Sequence, residues 1–327
     1  TNGWAWRQST IVKNINASPS YVYDVKVDTL RDNPNMTVIG ILERYQKTVG
    51  TTQYLVNLFH VFIANFSNLE INGTQIDLSY EYVGVYNHTY NLSDYDRITC
   101  IDIAWWNNTT IIGAVASVER RTDPNYDTYH VYKIVWIYNN STNKWGINEI
   151  VELESSRGSV VGLDIIYKWD WFVISIVSKV IGQWGSYFWW EIHASFYELT
   201  YNRNSSASPI TFPVMRDMWV SNAIITDDNY TILFACIQTS EGDSELRPIY
   251  YNIITNAATI SSNIMISTQD FGSRYGLYID FKDPTITAVE HNINTNDEGF
   301  IIVVFSGFTE YENYFTYVTI DYDWGGT

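Results

Sequence analysis

The sequence predicts an all-β fold, a single five-bladed β-propeller of four-stranded antiparallel blades spanning residues 1–327. Three observations carry this reading. First, residues 98–118 (ITCIDIAWWNNTTIIGAVASV) have counterparts at 21–42, 160–180, 219–238 and 286–307. Each reads as an apolar strand, a polar turn and a second apolar strand. Second, an acid or amide recurs late in the first strand, at Asp28, Asp102, Asp164, Asn222 and Glu290, with spacings of 58 to 74 residues. Periods of this order mark propellers or arrays, in which each unit buries its faces against its neighbours. Third, no segment sustains a 3.6-residue apolar period, so helix content is expected to be very low.

Residues 4–15 (WAWRQSTIVKNI) read as one strand, followed by a turn signal at Asn16-Ala17-Ser18. The first blade, about 20–90, has strands at 21–28, 37–44, 53–65 and 75–86. The second, 95–155, has strands at 98–104, 111–118, 129–138 and 147–154. The third, 158–215, has strands at 160–166, 172–180, 187–201 and 210–214. The fourth, 217–270, has strands at 219–225, 230–238, 249–255 and 262–268. The last, 284–323, has three strands, at 286–293, 300–307 and 314–322. The spare strand 4–15 is expected to complete that blade, as closure removes a free sheet edge.

The chain has 36 Asp and Glu against 19 Lys and Arg, a net charge of −17. Phosphate backbones need clustered cations, so nucleic acid is excluded as a partner. No run approaches the 18 or so consecutive apolar residues of a membrane helix, so no transmembrane segment is expected. Thr1-Asn2-Gly3-Trp4 reads as a mature start after removal of a signal. Cys100 and Cys236 fall on apolar strands two blades apart and read as separate buried thiols, with no disulfide. The histidines (His60, His88, His130, His193, His291) lack metal-ligand spacing. No metal and no cofactor is expected. Gly242-Asp243-Ser244 lies in a hairpin without a following helix and does not read as a nucleophile motif.

Asn-x-Ser/Thr sequons begin at Asn16, Asn35, Asn65, Asn72, Asn87, Asn91, Asn107, Asn108, Asn139, Asn140, Asn204 and Asn229, twelve of the 29 asparagines. Such density predicts covalent N-glycans on exposed loops of a secreted or cell-surface protein. Turn chemistry alone also favours Asn, Ser and Thr. Blade order puts nine of these sites in turns on one face, leaving Asn16, Asn87 and Asn91 on the other. The opposite face holds charged loops, Glu119-Arg120-Arg121-Thr122-Asp123, residues 241–245, and Glu310 with Glu312. Those loops are read either as a contact surface or as solvated charge.

The repeat acids Asp28, Asp102, Asp164 and Glu290 are expected to anchor hairpin turns through backbone N–H groups. A second ring of acids, Asp24, Asp96, Asp217 and Asp283, lies where each first strand begins. Asp283-Pro284-Thr285-Ile286 resembles the Asp-Pro opening of blades in five-bladed glycoside hydrolases. The resemblance implies a carbohydrate substrate and carboxylate catalysis at the channel mouth, with those four acids as candidates. Here the Asp-Pro strand opens the last blade, whereas in that family it opens the first. The aromatic run Trp184–Trp190 could stack on sugars, but strand alternation turns half of it inward as packing.

The whole composition, rich in Ile, Tyr, Trp, Asn and Thr and dense in sequons, resembles extracellular proteins of thermoacidophilic archaea. The function expected first is therefore a secreted, densely glycosylated, non-enzymatic structural or assembly protein, a filament or surface-layer subunit. Its partners would be copies of itself or other surface proteins. A carbohydrate-binding or adhesion propeller is the alternative, and a five-bladed glycoside hydrolase the second alternative.

Overall fold

The computed structural model describes residues 20–30, 32–72, 75–91, 97–120, 127–168, 170–184, 187–226, 229–240, 243–275, 280–289, 299–308 and 313–322. Nearly all of them lie in antiparallel strands, in meander sheets of the β-propeller class. The chain forms two compact units, Thr1–Ser155 and Ser156–Thr327, each with its own apolar core. The expected N-terminal strand 4–15 lies outside the described residues.

In the first unit, β1 (Ser20–Thr29), β2 (Met36–Val49), β3 (Thr52–Asn72) and β4 (Gln75–Asn91) pair in chain order. The next meander is β5 (Arg97–Asn107), β6 (Thr110–Glu119), β7 (Thr128–Asn139) and the first part of β8 (Lys144–Lys168). β6, TIIGAVASVE, is polar only at Thr110, Ser117 and Glu119 and is buried on both faces. The opening half of β8 is mostly exposed, as an outer strand must be. The core between the two meanders centres on Phe59 and Trp136, whose rings meet edge to face at 5.7 Å and 79°. Gly113 makes room for both: a Cβ there would lie 2.8 Å from each ring.

The second unit begins where β8 pairs with β9 (Trp171–Trp184), followed by β10 (Tyr187–Glu198) with β11 (Arg203–Ser206) and β12 (Ile210–Phe212). Then β13 (Asp217–Val220), β14 (Ile224–Ile225), β15 (Tyr230–Ser240), β16 (Asp243–Asn252), β17 (Ala257–Ile260) and β18 (Ile266–Ser267) form another sheet. A three-stranded sheet, β19 (Asp280–Val289), β20 (Gly299–Phe308) and β21 (Asn313–Tyr322), ends the described chain. The core of this unit stacks Phe196 on Tyr251 at 5.0 Å.

Three of the differences from the expected strands have a local cause. Residues 147–154 and 160–166 form one continuous strand, β8, because no turn separates them. Gly158 sits inside it at φ 122°, where a Cβ would lie 2.0 Å from the Lys179 carbonyl oxygen. The strand expected at 219–225 is broken at Ser221, whose hydroxyl accepts the Phe234 N–H at 2.9 Å in place of a ladder bond. Beyond Ser267 the chain turns into α1 (Thr268–Tyr275). Ser267 and Asp270 cap each other there: each backbone N–H donates to the other's side chain, at 2.8 and 3.2 Å.

Two features recur. The pairings of β1 with β2, β5 with β6, β8 with β9 and β19 with β20 each carry a bulge near their first paired residues, at 22/24, 98/100, 160/162 and 282/285. Two of the repeat acids expected to anchor their own hairpins, Asp28 and Asp164, instead reach the next meander. Asp28 Oδ2 accepts the Trp105 N–H at 2.9 Å, and Asp164 Oδ2 accepts the Ala223 N–H at 3.0 Å.

Candidate functional site

At the start of β1, Val22 pairs with Glu43 and Asp24 with Leu42, leaving Tyr23 as the extra residue of the bulge. A bulge re-aims a side chain. Here it lays the Tyr23 ring against the Arg44 guanidinium, whose Cζ is 3.7 Å from the ring centroid. Tyr23 is nonetheless 54% exposed, so its other surface is open. Asp24 follows, half-buried, with Oδ1 accepting the Val25 N–H at 2.8 Å.

Arg44 is only 8% exposed. Its Nε donates to Asn57 Oδ1 at 2.9 Å and its Nη2 to the Ile98 carbonyl. Asn57 in turn donates to the His88 carbonyl at 3.3 Å and accepts the Ile98 N–H at 3.5 Å. Arg44 thus ties β2 and β3 to the start of β5, next to Arg97. Burial lowers the Arg44 pKa, against a hydrogen bond with Tyr23 that raises it.

Arg97 opens β5, opposite Val118 of β6, and Arg120 follows Val118 by two residues. The two-residue period of a strand brings Arg97 and Arg120 to the same side. The Arg97 pKa is lowered by burial and then by the charges of Arg120 and Arg44, with Tyr23 and Asp127 opposing. Its Nε is buried and has no hydrogen-bond partner among the described residues. This end of the unit therefore gathers three guanidinium groups, an exposed tyrosine ring and the Asp24 carboxylate.

Behind it, β4 and β7 share an aromatic and imidazole seam. The Tyr86 hydroxyl and His88 Nδ1 are 3.0 Å apart, the His88 and Tyr132 rings 6.0 Å apart, and His130 stacks on Tyr132. His130 Nδ1 meets Glu152 Oε1 at 2.8 Å. Burial, with some help from the His130 charge, pushes His88 down to about 4. Burial and then Tyr132 push Tyr86 up to about 12. Both groups are neutral near pH 7, which suits packing and hydrogen bonding, not proton transfer at that pH. On the opposite face of β2, Glu43 Oε2 meets His60 Nε2 at 2.8 Å, both buried.

The four candidate acids fare differently. Asp24 belongs to the site just described. Asp96 lies outside the described residues. Asp283 falls at the β19 bulge, the position equivalent to the β1 bulge beside Asp24. Asp217 starts β13 in the second unit, is exposed, and accepts the Met218 N–H at 2.9 Å. Its charge raises the pKa of Lys179, although burial lowers that pKa more; the Lys179 amine sits 4.1 Å above the Trp190 ring. The structure therefore does not join Asp24 and Asp217 into one site within a unit.

The remaining candidates are structural. Asp243 and Ser244 lie in β16, and Ser244 is buried with its N–H donating to Thr268 Oγ1 at 2.9 Å. Glu245, expected in a charged loop, is a buried strand residue paired with Arg247 at 2.7 Å. Trp190 packs on the core of the second unit, while Trp189 on the other face donates to Glu191 at 2.6 Å. That hydrogen bond is the main cause of a lowered Glu191 pKa. Among the described sequons, Asn35, Asn87, Asn107, Asn108, Asn139, Asn140 and Asn204 are exposed. Asn65 and Asn229 are half-buried, and Asn229 Oδ1 accepts the Trp171 indole N–H at 3.0 Å. Asn16 lies outside the described residues, as do the side chains of Asn72 and Asn91. Among the described residues no cluster of His, Cys, Asp and Glu is arranged to hold a metal ion, and no helix is long and apolar enough to cross a membrane.

Tyr23, Arg44 and Arg97 were not legible as a site in the sequence, whereas Arg120 stood in the charged loop read as a contact surface or as solvated charge. The available signal was the arginine in Leu42-Glu43-Arg44-Tyr45: a charge pair inside an apolar strand must find buried partners.

No known protein family and no curated protein matches the sequence. Solved structures do match by fold. The levansucrase of Bacillus subtilis, in complex with oligosaccharides, is 9% identical with a TM-score of 0.40, over 95% of this chain and 86% of that one. The sialidase of Trypanosoma rangeli, in complex with sialic acid, is 9% identical with a TM-score of 0.38, over 94% and 46%. The extracellular domains 1–2 of Drosophila semaphorin 1a are 8% identical with a TM-score of 0.31, over 86% and 80%. At these scores the likeness assigns no residue and no reaction to this chain. The expectation of a non-enzymatic structural or assembly subunit is nevertheless corrected on this finding, because glycoside-processing enzymes stand first among the matching folds.

Proposed function

We propose that the chain is a glycoside-processing protein of the propeller class, receiving sugar at the bulge end of β1 in the first unit. One observation carries the reading: the bulge exposes one surface of the Tyr23 ring while Arg44 covers part of it, with Asp24 next in the chain. Sugar sites need an aromatic surface to stack on, rigid donors and a carboxylate, and all three are built here from buried or strand-held residues. Asp24 is the described carboxylate best placed to act on a glycosidic bond. Glycoside hydrolysis uses two, and Asp96, from the same ring of acids, is the proposed partner.

A second reading, carbohydrate binding without hydrolysis, is favoured by the Asp24 oxygen already held by the Val25 N–H. The test is incubation with a panel of oligosaccharides, with products followed by mass spectrometry and binding by calorimetry. Hydrolysis that is lost in Asp24→Asn while binding persists supports the enzyme. Binding lost in Tyr23→Ala, with no product from the native protein, leaves the binding reading. No oligosaccharide bound by the native protein overturns both.

The same reading takes the chain as five blades of an extracellular glycoprotein. The exposed asparagines at or beside turns, Asn35, Asn107, Asn108, Asn139 and Asn140, and the exposed Asn204 of β11, are proposed to carry glycans. Asn229 is not: its side chain is half-buried and its Oδ1 is held by the Trp171 indole N–H. Glycopeptide mass spectrometry of the native protein decides this site by site: occupied Asn229 or empty turn sites would overturn the assignment.

A further inference from the structure

Three guanidinium groups drawn together in a chain of net charge −17 need a reason. Arg44 has one: it is buried, donates to Asn57 and to the Ile98 carbonyl, and stacks on Tyr23. Arg97 and Arg120 do not. Arg97 is half-buried, its Nε is hidden from solvent without a partner among the described residues, and Arg120 is exposed on the same side of the ladder. A buried donor left unmade costs about 1–3 kcal/mol, and the charges of Arg120 and Arg44 oppose that of Arg97. Asp127 offsets part of that repulsion. It does not explain why β5 opens with one arginine and β6 is followed directly by another at the site where Tyr23 is held open.

We infer that the sugar received at this site carries an oxyanion, a carboxylate in the first place, gripped by Arg97 and Arg120 while Arg44 holds Tyr23 against its ring. A guanidinium presents its donors as a planar fork, which matches the two oxygens of a carboxylate. Arg44 contributes charge from behind, with its Nε and Nη2 already donating to Asn57 and the Ile98 carbonyl. The proposal rests on the carbohydrate reading above and narrows it from sugars in general to acidic glycans.

The experiment compares three oligosaccharides of one linkage and length: neutral, uronic-acid-containing and sulfate-bearing. Binding is measured by calorimetry, and free glucuronate is titrated separately and followed by thermal shift. The expected result is binding of the uronic-acid form about tenfold or more above the neutral one, the worth of one charge-assisted fork. That preference should weaken as salt is raised and shrink towards unity in Arg97→Gln and Arg120→Gln. Arg120 is exposed, so its substitution tests the site even if Arg97→Gln fails to fold. Equal binding of neutral and acidic forms, or a preference that survives both substitutions, overturns the proposal while leaving the carbohydrate reading intact. A preference for the sulfate form overturns the carboxylate assignment. If no oligosaccharide binds, the carbohydrate reading falls, and glucuronate then decides the anion site alone: stabilisation lost in Arg120→Gln keeps it, and no stabilisation removes it.

Discussion

His88 shows how one residue sets a pH response. Its pKa is held at about 4 against an ordinary value of 6.5, chiefly by burial between β4 and β7. A histidine whose folded pKa is depressed binds fewer protons folded than unfolded, so stability falls as pH drops from about 6.5 to about 4 and then levels off. Holding the imidazole at about 4 corresponds to at most about 3 kcal/mol. Denaturant unfolding of native protein and of His88→Gln across pH 4 to 7 is the check, and the substitution is expected to flatten the slope in this window. Arg44 makes the complementary point. Arg44→Met keeps the volume but leaves Asn57 and the Ile98 carbonyl short of a donor, and is expected to cost about 1–3 kcal/mol in the same assay. Neither residue announced itself in the sequence. His88 reads there as the middle of a sequon, Asn87-His88-Thr89, and its pairing with Tyr86 and Tyr132 exists only once β4 meets β7.

The strands were the most readable elements, because period-2 apolar runs bounded by Asn, Gly and Pro turns leave little choice of structure. Those of the first two meanders fall within a few residues of expectation at most of their ends. The misses have physical causes. The residue pair Ser267 and Asp270 wrote a capping box that the strand reading at 262–268 overlooked, and α1 followed. The Gly158 bend replaced a turn. The repeat acids were visible as a pattern, but their partners were not, since a carboxylate near a strand end can serve its own hairpin or the neighbouring meander with the same chemistry. Asp28→Ala and Asp164→Ala are each expected to destabilise their unit by about 1.5–3 kcal/mol, as hydrogen bonds to a charged group do. Asp→Asn at either position, which keeps an acceptor, should recover much of the loss. Equal losses for Ala and Asn would show that charge, not the bond to the next meander, matters.

For the molecule as a whole, composition fixed the sign of the field and little else. A net charge of −17 repels itself, and salt screens that repulsion. Raising sodium chloride from low to physiological strength is therefore expected to raise the melting temperature by a few degrees, on the order of 1 kcal/mol. The same charge hid the arginine cluster: 19 basic residues spread through the sequence gave no sign that three would meet at one end of the first unit. The all-β class was legible from the sequence. The structural role first inferred was not, because dense sequons describe a surface and say nothing of what that surface leaves uncovered.

The bonds from Asp28 to the Trp105 N–H and from Asp164 to the Ala223 N–H end on main chain. Any residue except proline presents that donor. A lineage can therefore exchange every side chain on the accepting strand without loosening the dock, provided the carboxylate stays. Ancestry in such a protein is carried by geometry while the letters drift, so its relatives would be recognised sooner by the pairing of a single acid with an anonymous amide than by any stretch of shared sequence.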